Sequence, residues 1–436
     1  MKVLKFGGTS VGSVPSMLNV ADIVQKTKGR RLIVLSALSG STNGLVAIND
    51  LCKNFQKDDA LIKVMELQER HLSFISEILD QENLIKDASD YVKEVFSNIR
   101  TFISKGYNQQ LYKLLVIQGE LLSTRIFQNL MVQKGLESSL IMAQDFMTLD
   151  ENGEPNIPLT TQKYNNVVEN SPAEILITQG FIARNHSGGL DNLARGGSDY
   201  TATIMGVVTQ SEEVQIWTDI DGMHNNDPRI INNTRPLSHL SFEEASELAY
   251  FGAKVLHPQC IVPVHLHNIP TRIKNTMKPE ADGTLISQES SNSIVKAIAA
   301  KNGITAIKIK SSRMVMAYGF LRRVFEIFEK YKTSIDMITT SEIAVSLTID
   351  DDTFLEPILH ELAKYGKVEV DKGQTIICIV GDLIAERKGV GKAIFDSLDE
   401  VPMRMISYGG SKNNISILIH EDLKNKALIQ LHKALF

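Results

Sequence analysis

The sequence predicts an α/β domain followed by a duplicated α+β module. From Met1 to about Asn292, short β-rich runs alternate with longer helical stretches, the pattern of a sheet covered by helices. Beyond that point residues 304–350 align with residues 374–420 at a constant offset of 70. A chain of 436 residues also exceeds the usual size of one domain, so two or three domains are expected.

The first domain opens with a strand, a glycine-rich loop and a helix. Apolar residues recur at helical spacing from Met17 to Val24, which would bury one helix face against the sheet. Ser241 and Glu244 have the spacing of a capping box and predict another helix start. The clearest predicted strands are 2–6, 31–37, 174–183 and 213–219.

The repeat predicts two copies of one small module. Gly319 matches Gly389, and the stretch from Val324 to Glu326 matches Ile394-Phe-Asp. Each copy reads strand, helix, strand, strand, helix over about 60 to 70 residues. A segment rich in Ser, Asp and Gly at 280–292 precedes the pair and marks the edge of the first domain.

Composition excludes several classes of function. A net charge of -5, with 43% hydrophobic and 22% charged residues, creates no field that would attract nucleic acid or an anionic membrane, so neither partner is expected. Cys52, Cys260 and Cys378 are too far apart in sequence to suggest a zinc cage or a disulfide framework. No apolar stretch approaches the ~20 residues of a membrane span, and we expect a cytoplasmic protein.

The hexapeptide from Lys5 to Ser10 (KFGGTS) ends the first predicted strand. Gly7 and Gly8 would let backbone amides approach a phosphate at the start of a helix, and Lys5 would add a positive charge. Taken alone the motif is weak, because a Gly-Gly turn after a strand is commonly only a turn.

A second glycine pair lies in the stretch from Arg195 to Thr201 (RGGSDYT). Arg195 suits a carboxylate or phosphate, and Asp199 suits an ammonium group or a metal-linked water. The stretch is not a nucleophilic serine elbow, because Tyr200 occupies the position that requires glycine. A capped helix start with a surface ion pair remains the alternative.

The stretch from Trp217 to Arg229 (WTDIDGMHNNDPR) ends another strand with acids in a loop, where open α/β sheets bind ligands. Asn and Asp are also ordinary turn formers, so this loop is ambiguous by itself. Lys254 follows Gly252 and would either face phosphates or be a solvated lysine. The histidines followed by Glu at His360 and His420 lack the second histidine of a zinc-protease helix, and no protein-borne metal site is expected.

Taken together, the motifs closely resemble the aspartate kinases, which belong to the amino-acid kinase family. The resemblance covers essentially the whole chain, and its C-terminal part is similar to the tandem ACT modules of these enzymes. The matching segments are KFGGTS (5–10), LSGSTNGL (38–45), QGELLSTR (118–125), TQGFIARN (178–185), ARGGSDYTA (194–202), WTDIDGMHNNDPR (217–229), FGAKVLHP (251–258), GFLRRVF (319–325) and IDMITTSE (335–342).

The resemblance implies an α/β fold: a three-layer, carbamate-kinase-like domain at 1–294 and a regulatory region at 295–436. The regulatory region would hold two ferredoxin-like ACT α+β modules, with 311–385 inserted between 295–310 and 386–436. Strand 304–310 would then pair with the C-terminal module.

The implied activity is transfer of the γ-phosphate of ATP to the β-carboxylate of L-aspartate, giving 4-phospho-L-aspartate and ADP. This is the first step of lysine, threonine and methionine biosynthesis. Mg²⁺ would be held mainly by the nucleotide phosphates, and Lys5 and Asp199 would act in catalysis. Implied ATP-binding residues are Lys5, Gly7, Gly8, Thr218, Asp219, His224, Arg229, Lys254 and Val255. Implied aspartate-binding residues are Thr42, Glu120, Arg195, Ser198 and Asp199, with Arg195 on a carboxylate and Glu120 on the amino group.

An amino-acid effector, L-lysine, would bind between ACT modules of two subunits, so a homodimer or higher homo-oligomer is expected. Two alternatives remain: a catalytically inactive ACT-type sensor, and a related kinase acting on another small acid. Ala194, His224, Ala317 and Tyr318 depart from the usual pattern of the family. The implied effector contacts are Met314, Gly319, Phe320, Leu321, Ile335, Asp336, Ser341 and Glu342.

Overall fold

A computed structural model describes residues 1–106, 108–169, 171–193, 196–252, 256–289, 293–311 and 318–436. The chain divides into two compact units. The first comprises Met1–Met223, Ser238–Phe242 and Val255–Glu289, and the second comprises His224–Leu237, Glu243–Lys254 and Ser290–Phe436. The expected domain boundary after residue 294 stays a prediction.

The first unit is built on a mainly parallel sheet. Its described strands run in the order β3-β4-β2-β1-β7-β9-β10-β8, and only β9 and β10 pair antiparallel. The carboxyl ends of β1, β2, β4, β7 and β9 therefore lie at one edge, where open α/β sheets bind ligands. Strands β5 and β6 form a separate hairpin. The strands are β1 (Lys2–Phe6), β2 (Arg31–Leu35), β3 (Ser138–Leu140), β4 (Ile175–Gln179), β5 (Ile182–Arg184), β6 (Leu190–Asn192), β7 (Glu213–Thr218), β8 (His239–Ser241), β9 (Thr271–Asn275) and β10 (Thr284–Ser287).

Helices cover both faces of this sheet. Their bounds are α1 (Gly8–Val11), α2 (Val14–Lys26), α3 (Ser41–Lys53), α4 (Lys57–Ile78), α5 (Glu82–Ser104), α6 (Gln109–Val116), α7 (Gln118–Gln133), α8 (Ala143–Phe146), α9 (Ile157–Val168), α10 (Gly197–Val208) and α12 (Pro258–Leu266). Helix α11 (Phe242–Tyr250) belongs to the second unit from Glu243 onward. Leu4 and Phe6 of β1 point into the core formed with α2, α4, α5 and α7. Lys5, between them, points to the opposite face and contacts α10. The predicted three-layer arrangement is thus confirmed.

Two sequence predictions for this unit have clear outcomes. The helix expected around Met17 is confirmed within α2, where the Ser13 side chain caps the helix by accepting from Ser16 N. The single strand expected at 174–183 is wrong, because β4 and β5 are separated by a turn. Phe181 has a φ of 69° in that turn, and its N–H donates to Thr201 Oγ1 at 2.8 Å instead of to a strand.

The second unit is an antiparallel sheet with helices. Its described strands have the order β12-β13-β11-β14-β16-β15. Among the described residues, no helix of the chain is both long enough and apolar enough to cross a membrane. The strands and helices are β11 (Ala297–Lys310), α13 (Phe320–Lys330), β12 (Ile338–Thr340), β13 (Ala344–Ile349), α14 (Leu355–Leu362), β14 (Lys367–Val380), α15 (Val390–Ser397), β15 (Met405–Tyr408), β16 (Asn414–His420) and α16 (Lys424–Leu435).

The predicted internal repeat is confirmed in this unit. Helices α13 and α15 begin at Phe320 and Val390, which differ by the predicted offset of 70. Each follows a glycine in the left-handed region, Gly319 with a φ of 79° and Gly389 with a φ of 83°. Each copy also has its own buried apolar cluster under its helices.

Strands β11 and β14 are shared by the two copies. Residues 305–310 of β11 pair with β13, and residues 306–310 pair with 367–371 of β14, which precede the second copy. The expectation that 304–310 pairs with the C-terminal copy is therefore wrong. Residues 297–301 make that pairing instead, with 376–380 of β14, because β11 is a single 14-residue strand with an irregularity after Lys301 that divides it between the copies.

Candidate active site

Lys5 lies at the carboxyl end of β1, on the face covered by α10. Its Nζ is 2.5 Å from Asp199 Oδ1, and only 10% of its side chain is exposed. Asp199 stands in the first turn of α10, where the helix dipole favours a negative charge. The ion pair thus sets a shielded ammonium group beside the glycine turn that follows β1.

The glycine turn packs tightly on the loop after β2. Gly7 N donates to the Trp217 carbonyl at 3.2 Å, which ties the turn to β7. A Cβ on Gly8 would lie 3.2 Å from the Ala37 carbonyl oxygen, and one on Gly12 would lie 2.5 Å from Ser39 Cβ. Side chains larger than hydrogen would push the two loops apart, so the glycines permit an approach that a phosphate-binding turn requires.

Small residues pack closely around the start of α10. Gly196 has a φ of 76° and precedes the helix. A Cβ on Gly180 would lie 2.3 Å from the Ser198 side chain, so the buried Ser198 packs directly on the turn after β4. The start of α10, and with it Asp199, is therefore positioned by close packing of Ser198 on the turn after β4. Arg195 and Ala194 lie outside the described residues.

Glu120 is a buried carboxylate in the first turn of α7. Glu120 is 4% exposed, and its Oε1 accepts a hydrogen bond from Ala37 N at 3.4 Å. Oε2 is buried and has no hydrogen-bond partner among the residues that the structure describes. Burial raises the pKa of Glu120 to about 8, and hydrogen bonds with the backbone offset only part of that effect. A cationic partner would therefore favour the ionised form of this carboxyl group.

Ala37 connects the two halves of the first unit's site. Its N–H faces Glu120, and its carbonyl oxygen faces Gly8 of the glycine turn. Thr42 lies farther along the same loop, as the second residue of α3, and is half-buried. The sequence motifs at 5–10, 38–45 and 118–125 thus meet at the carboxyl ends of β1 and β2.

The carboxyl ends of β7 and β9 complete the site in this unit. Thr218 and Asp219 follow β7, with Thr218 Oγ1 3.1 Å from Asp219 Oδ1. Thr276 N donates to the Thr218 carbonyl at 2.8 Å, and Thr276 Oγ1 bonds the Ser10 hydroxyl at 2.6 Å. Thr276 was not predicted as a site residue from the sequence. Its position directly after a parallel strand is the feature that could have indicated it.

A lysine beside this edge was also missed. Lys274 Nζ lies 5.0 Å from the centre of the Trp217 ring, a cation–π contact. Burial lowers the pKa of Lys274, and Arg272 adds to that effect. Trp217 itself stacks on Phe6 of β1. The ring therefore packs against the first strand and holds the Lys274 ammonium near the end of β9.

His224 and Arg229 belong to the second unit. Arg229 forms a bidentate pair with Asp227 through Nε at 2.9 Å and Nη2 at 2.7 Å, and its side chain is largely exposed. His224 Nδ1 lies 3.0 Å from Thr234 Oγ1. Lys254 and Val255 lie outside the described residues. Their nucleotide-binding roles stay predictions.

Asp336, an expected effector contact, already binds an ammonium group of the protein. Its fully buried Oδ1 accepts from Lys301 Nζ at 2.8 Å and from the Tyr250 hydroxyl at 2.8 Å. Lys301 also bonds Asp350 at 2.8 Å. Burial lowers the pKa of Lys301, but the hydrogen bonds to both carboxylates outweigh burial and raise it overall. Asp336 Oδ2 is buried and lacks a hydrogen-bond partner within the described part of the chain.

Tyr250 is one of three residues that fix α11 to the second unit's sheet. Glu244 forms an ion pair with Lys296 at 2.5 Å, and Glu247 accepts from the Asn414 amide. Spaced three apart, Glu244, Glu247 and Tyr250 share one face of the helix. The end of α11, just before the FGAKV segment, is therefore attached to the same carboxylate that is expected to bind an effector.

The other expected effector contacts occupy the loops around α13 and β12. Phe320 is buried, while Ser341 and Glu342 are exposed. Ser341 N donates to the Ala344 carbonyl at 2.8 Å, closing the turn between β12 and β13. Leu321 and Ile335 are partly exposed, Gly319 precedes α13, and Met314 lies outside the described residues.

Comparison with known proteins agrees with the geometry of both units. The "Amino acid kinase family" sequence model matches residues 1–275, and an "ACT domain" model matches 377–435. The chain is 33% identical to "Lysine-sensitive aspartokinase 3" of Escherichia coli over 100% of this chain and 99% of that protein. It is 33% identical to "Aspartokinase 1, chloroplastic" of Arabidopsis thaliana, over 100% of this chain and 80% of the relative.

Solved structures show the same likeness. The structure of E. coli aspartokinase III in complex with aspartate and ADP has a TM-score of 0.88 and 32% identity, covering 100% of both chains. The same enzyme in complex with lysine and aspartate has a TM-score of 0.82 and 32% identity, covering 100% of this chain and 99% of that chain. This chain belongs to the amino acid kinase family and, within it, to the aspartokinases.

Proposed function

We propose that the protein transfers the γ-phosphoryl group of ATP to the β-carboxylate of L-aspartate, giving 4-phospho-L-aspartate and ADP. The observation that carries this proposal is the shielded Lys5 ammonium, 2.5 Å from Asp199 and next to the Gly7-Gly8 turn at the carboxyl end of β1. An E. coli relative of 33% identity is named a lysine-sensitive aspartokinase, and its structure contains aspartate and ADP. Such a reaction would begin lysine, threonine and methionine biosynthesis.

The chemistry needs charge placement more than a base. A side-chain carboxylate with a pKa near 3.9 is already ionised at neutral pH. One of its oxygens attacks the γ-phosphorus, the bond from that phosphorus to the ADP oxygen breaks, and ADP leaves with the bonding electrons. Lys5 would neutralise charge on the transferred group, and amides of the glycine turn would hold the phosphates.

Glu120 suits the amino group of aspartate. Its Oε2 has no hydrogen-bond partner within the described residues, so a donor from a ligand would complete the carboxylate's hydrogen bonding. An ammonium group would also favour the ionised form that burial disfavours. Thr42, on the loop that Ala37 begins, would contact the same substrate, and we infer that Ser198 and Arg195 approach it from the start of α10.

Mg²⁺ is part of the proposal through the nucleotide. In the described ranges no three His, Cys, Asp or Glu side chains are grouped as a metal site would require. Asp199 and Asp219 are the carboxylates beside the glycine turn and β7 that would hold waters of a phosphate-bound ion. When bound, the ion supplies charge neutralisation between the phosphates.

Lysine is the effector that we propose. Asp336 binds the Lys301 ammonium at 2.8 Å, and its Oδ2 has no partner among the described residues, so this carboxylate is suited to an ammonium-bearing ligand. Arg229, His224, Lys254 and Val255 are proposed nucleotide contacts. The homo-oligomer formed through ACT modules and the cytoplasmic location stay predictions.

A hydroxylamine assay tests the activity directly. With MgATP and aspartate the protein should form an acyl phosphate that hydroxylamine converts to aspartyl hydroxamate. Product from glutamate but not from aspartate would replace the proposal by another small-acid kinase. Lack of product from either acid, combined with lysine binding in calorimetry, would instead identify an inactive amino-acid sensor.

A further inference from the structure

His71 is a fully buried histidine on α4 that none of the catalytic motifs includes. Its Nδ1 lies 2.7 Å from the Leu67 carbonyl oxygen, and its Nε2 lies 3.3 Å from the Ser41 hydroxyl oxygen. The Phe96 ring packs against the imidazole at 5.7 Å between ring centres. Both ring nitrogens therefore have defined partners inside the protein.

The two partners fix the tautomer of His71. A carbonyl oxygen only accepts, so Nδ1 carries the hydrogen and donates to Leu67. Nε2 is then the acceptor, and the Ser41 hydroxyl donates to it. Burial lowers the pKa of His71 to about 4, an effect partly opposed by the Leu67 hydrogen bond, so the ring stays neutral at physiological pH.

Ser41 occupies a critical position in the loop between β2 and α3. It is fully buried, it is the first residue of α3, and Thr42 follows it. A Cβ on Gly119 would lie 3.8 Å from Ser41 Cβ and 2.7 Å from Ala37 Cβ, so the loop packs against the turn that carries Glu120. Movement of Ser41 would therefore shift Thr42 relative to Glu120.

A second contact from α4 holds the same loop. Arg70 Nη2 donates to the Ser39 carbonyl at 2.5 Å. Gly40 has a φ of 79°, and a Cβ there would lie 3.0 Å from Arg70 Nη1. Two consecutive residues of α4 thus bind the loop: Arg70 through the Ser39 carbonyl and His71 through the Ser41 side chain.

We propose that His71 is a positioning residue for aspartate, acting through the Ser41 hydroxyl to hold Thr42 beside Glu120. The inference rests on the proposed aspartate kinase activity. It predicts a larger effect on aspartate than on MgATP, because Ser41 is adjacent to Thr42, whereas the glycine turn packs on Ala37 and Ser39, earlier in the same loop.

The test compares His71→Leu, His71→Gln and Ser41→Ala with the wild type in the hydroxamate assay. Leucine removes the acceptor, whereas the glutamine oxygen can reach the position of Nε2. We expect His71→Leu and Ser41→Ala each to raise the KM for aspartate about tenfold, because each removes one buried hydrogen bond. The KM for MgATP should stay within about twofold of wild type. His71→Gln should recover most of the aspartate KM.

The double variant separates positioning from general stability. His71→Leu combined with Ser41→Ala should be no worse for aspartate than either single change, because both remove the same bond. Three outcomes would each overturn the inference. The first is that the two changes have additive effects on the aspartate KM, the second is that the KM values for aspartate and MgATP rise equally, and the third is that the melting temperature falls while both KM values stay unchanged. Ser41→Ala removes a single oxygen and so supplies a result even if His71→Leu fails to fold. A wild type that makes no aspartyl hydroxamate would refute the proposed function itself, and this inference with it.

Discussion

Lys5 Nζ and Asp199 Oδ1 are 2.5 Å apart, and this ion pair joins the end of the first strand to the start of α10. Asp199 neutralises the lysine while keeping its charge at the site. Phosphate oxygens arriving at the Gly7-Gly8 turn would compete for that ammonium. The pair therefore keeps an ammonium group next to the glycine turn, where an anion could bind it.

Replacing Lys5 with Met should remove most turnover. Loss of one preorganised charge at a developing anion typically costs about 10² to 10³ in kcat. The hydroxamate assay measures it, with Lys2→Met on the same strand as the matched control. A Lys5→Met enzyme within threefold of wild type would show that the phosphate site lies elsewhere.

Aspartate binding should strengthen as the pH rises toward 8. Burial holds the pKa of Glu120 at about 8, so the free enzyme carries a protonated Glu120 at pH 6 to 7. The substrate ammonium requires the carboxylate, so binding must release a proton. We expect the KM for aspartate to fall by up to about tenfold per pH unit below 8 and to level above it.

The Glu120→Gln variant is the control for that profile. It should bind aspartate weakly at every pH and without the slope. Stability has the opposite dependence: the folded pKa exceeds the unfolded one, so the contribution of this group is present at low pH and is lost as the pH rises through about 8. A flat wild-type KM profile between pH 6 and 8 would contradict the role of Glu120.

Features that depend on a local sequence pattern were easier to predict than contacts between distant parts of the chain. The glycine turn after β1 follows from neighbouring residues and the offset of 70 from direct comparison of the two repeats, and the structure confirms both. The hydrogen bond from Ser41 to His71 joins the motif at 38–45 to a residue 30 positions later in the chain, and no local sequence pattern predicts it. The split of 174–183 depends on Phe181 adopting a positive φ, a tertiary constraint that β propensity does not register.

Removing Lys301 should make the enzyme more sensitive to lysine. The Lys301 ammonium occupies the Asp336 carboxylate that we assign to the effector, so it competes with lysine from within the chain. Lys301→Met should lower the lysine concentration for half inhibition about three- to tenfold, whereas Asp336→Asn should abolish inhibition. Inhibition curves in the hydroxamate assay measure both.

Lys310→Met is the matched control for Lys301→Met. Lys310 is on the same strand, and its pair with Glu369 is exposed, so its loss should leave inhibition unchanged. Tyr250→Phe removes the other donor to Asp336 and should shift inhibition in the same direction as Lys301→Met, by a smaller factor. Weaker inhibition in Lys301→Met would mean that Lys301 orders the effector site instead of competing for it.

The ion pair of Glu244 with Lys296 should matter most for stability. The side chains are 1% and 2% exposed, and their 2.5 Å contact attaches α11 to the start of the second unit's sheet. Lys296→Met leaves a buried carboxylate without its ammonium, which typically costs about 3 to 5 kcal/mol. Calorimetry should show the unfolding transition at a lower temperature. Adding Glu244→Gln should recover part of the lost stability, because the uncompensated charge is then gone.

Lys310→Met is the control, because it removes an exposed ion pair and should change the free energy of unfolding by no more than about 1 kcal/mol. If Lys296→Met is as mild as that control, water reaches Glu244 and the pair does not anchor α11.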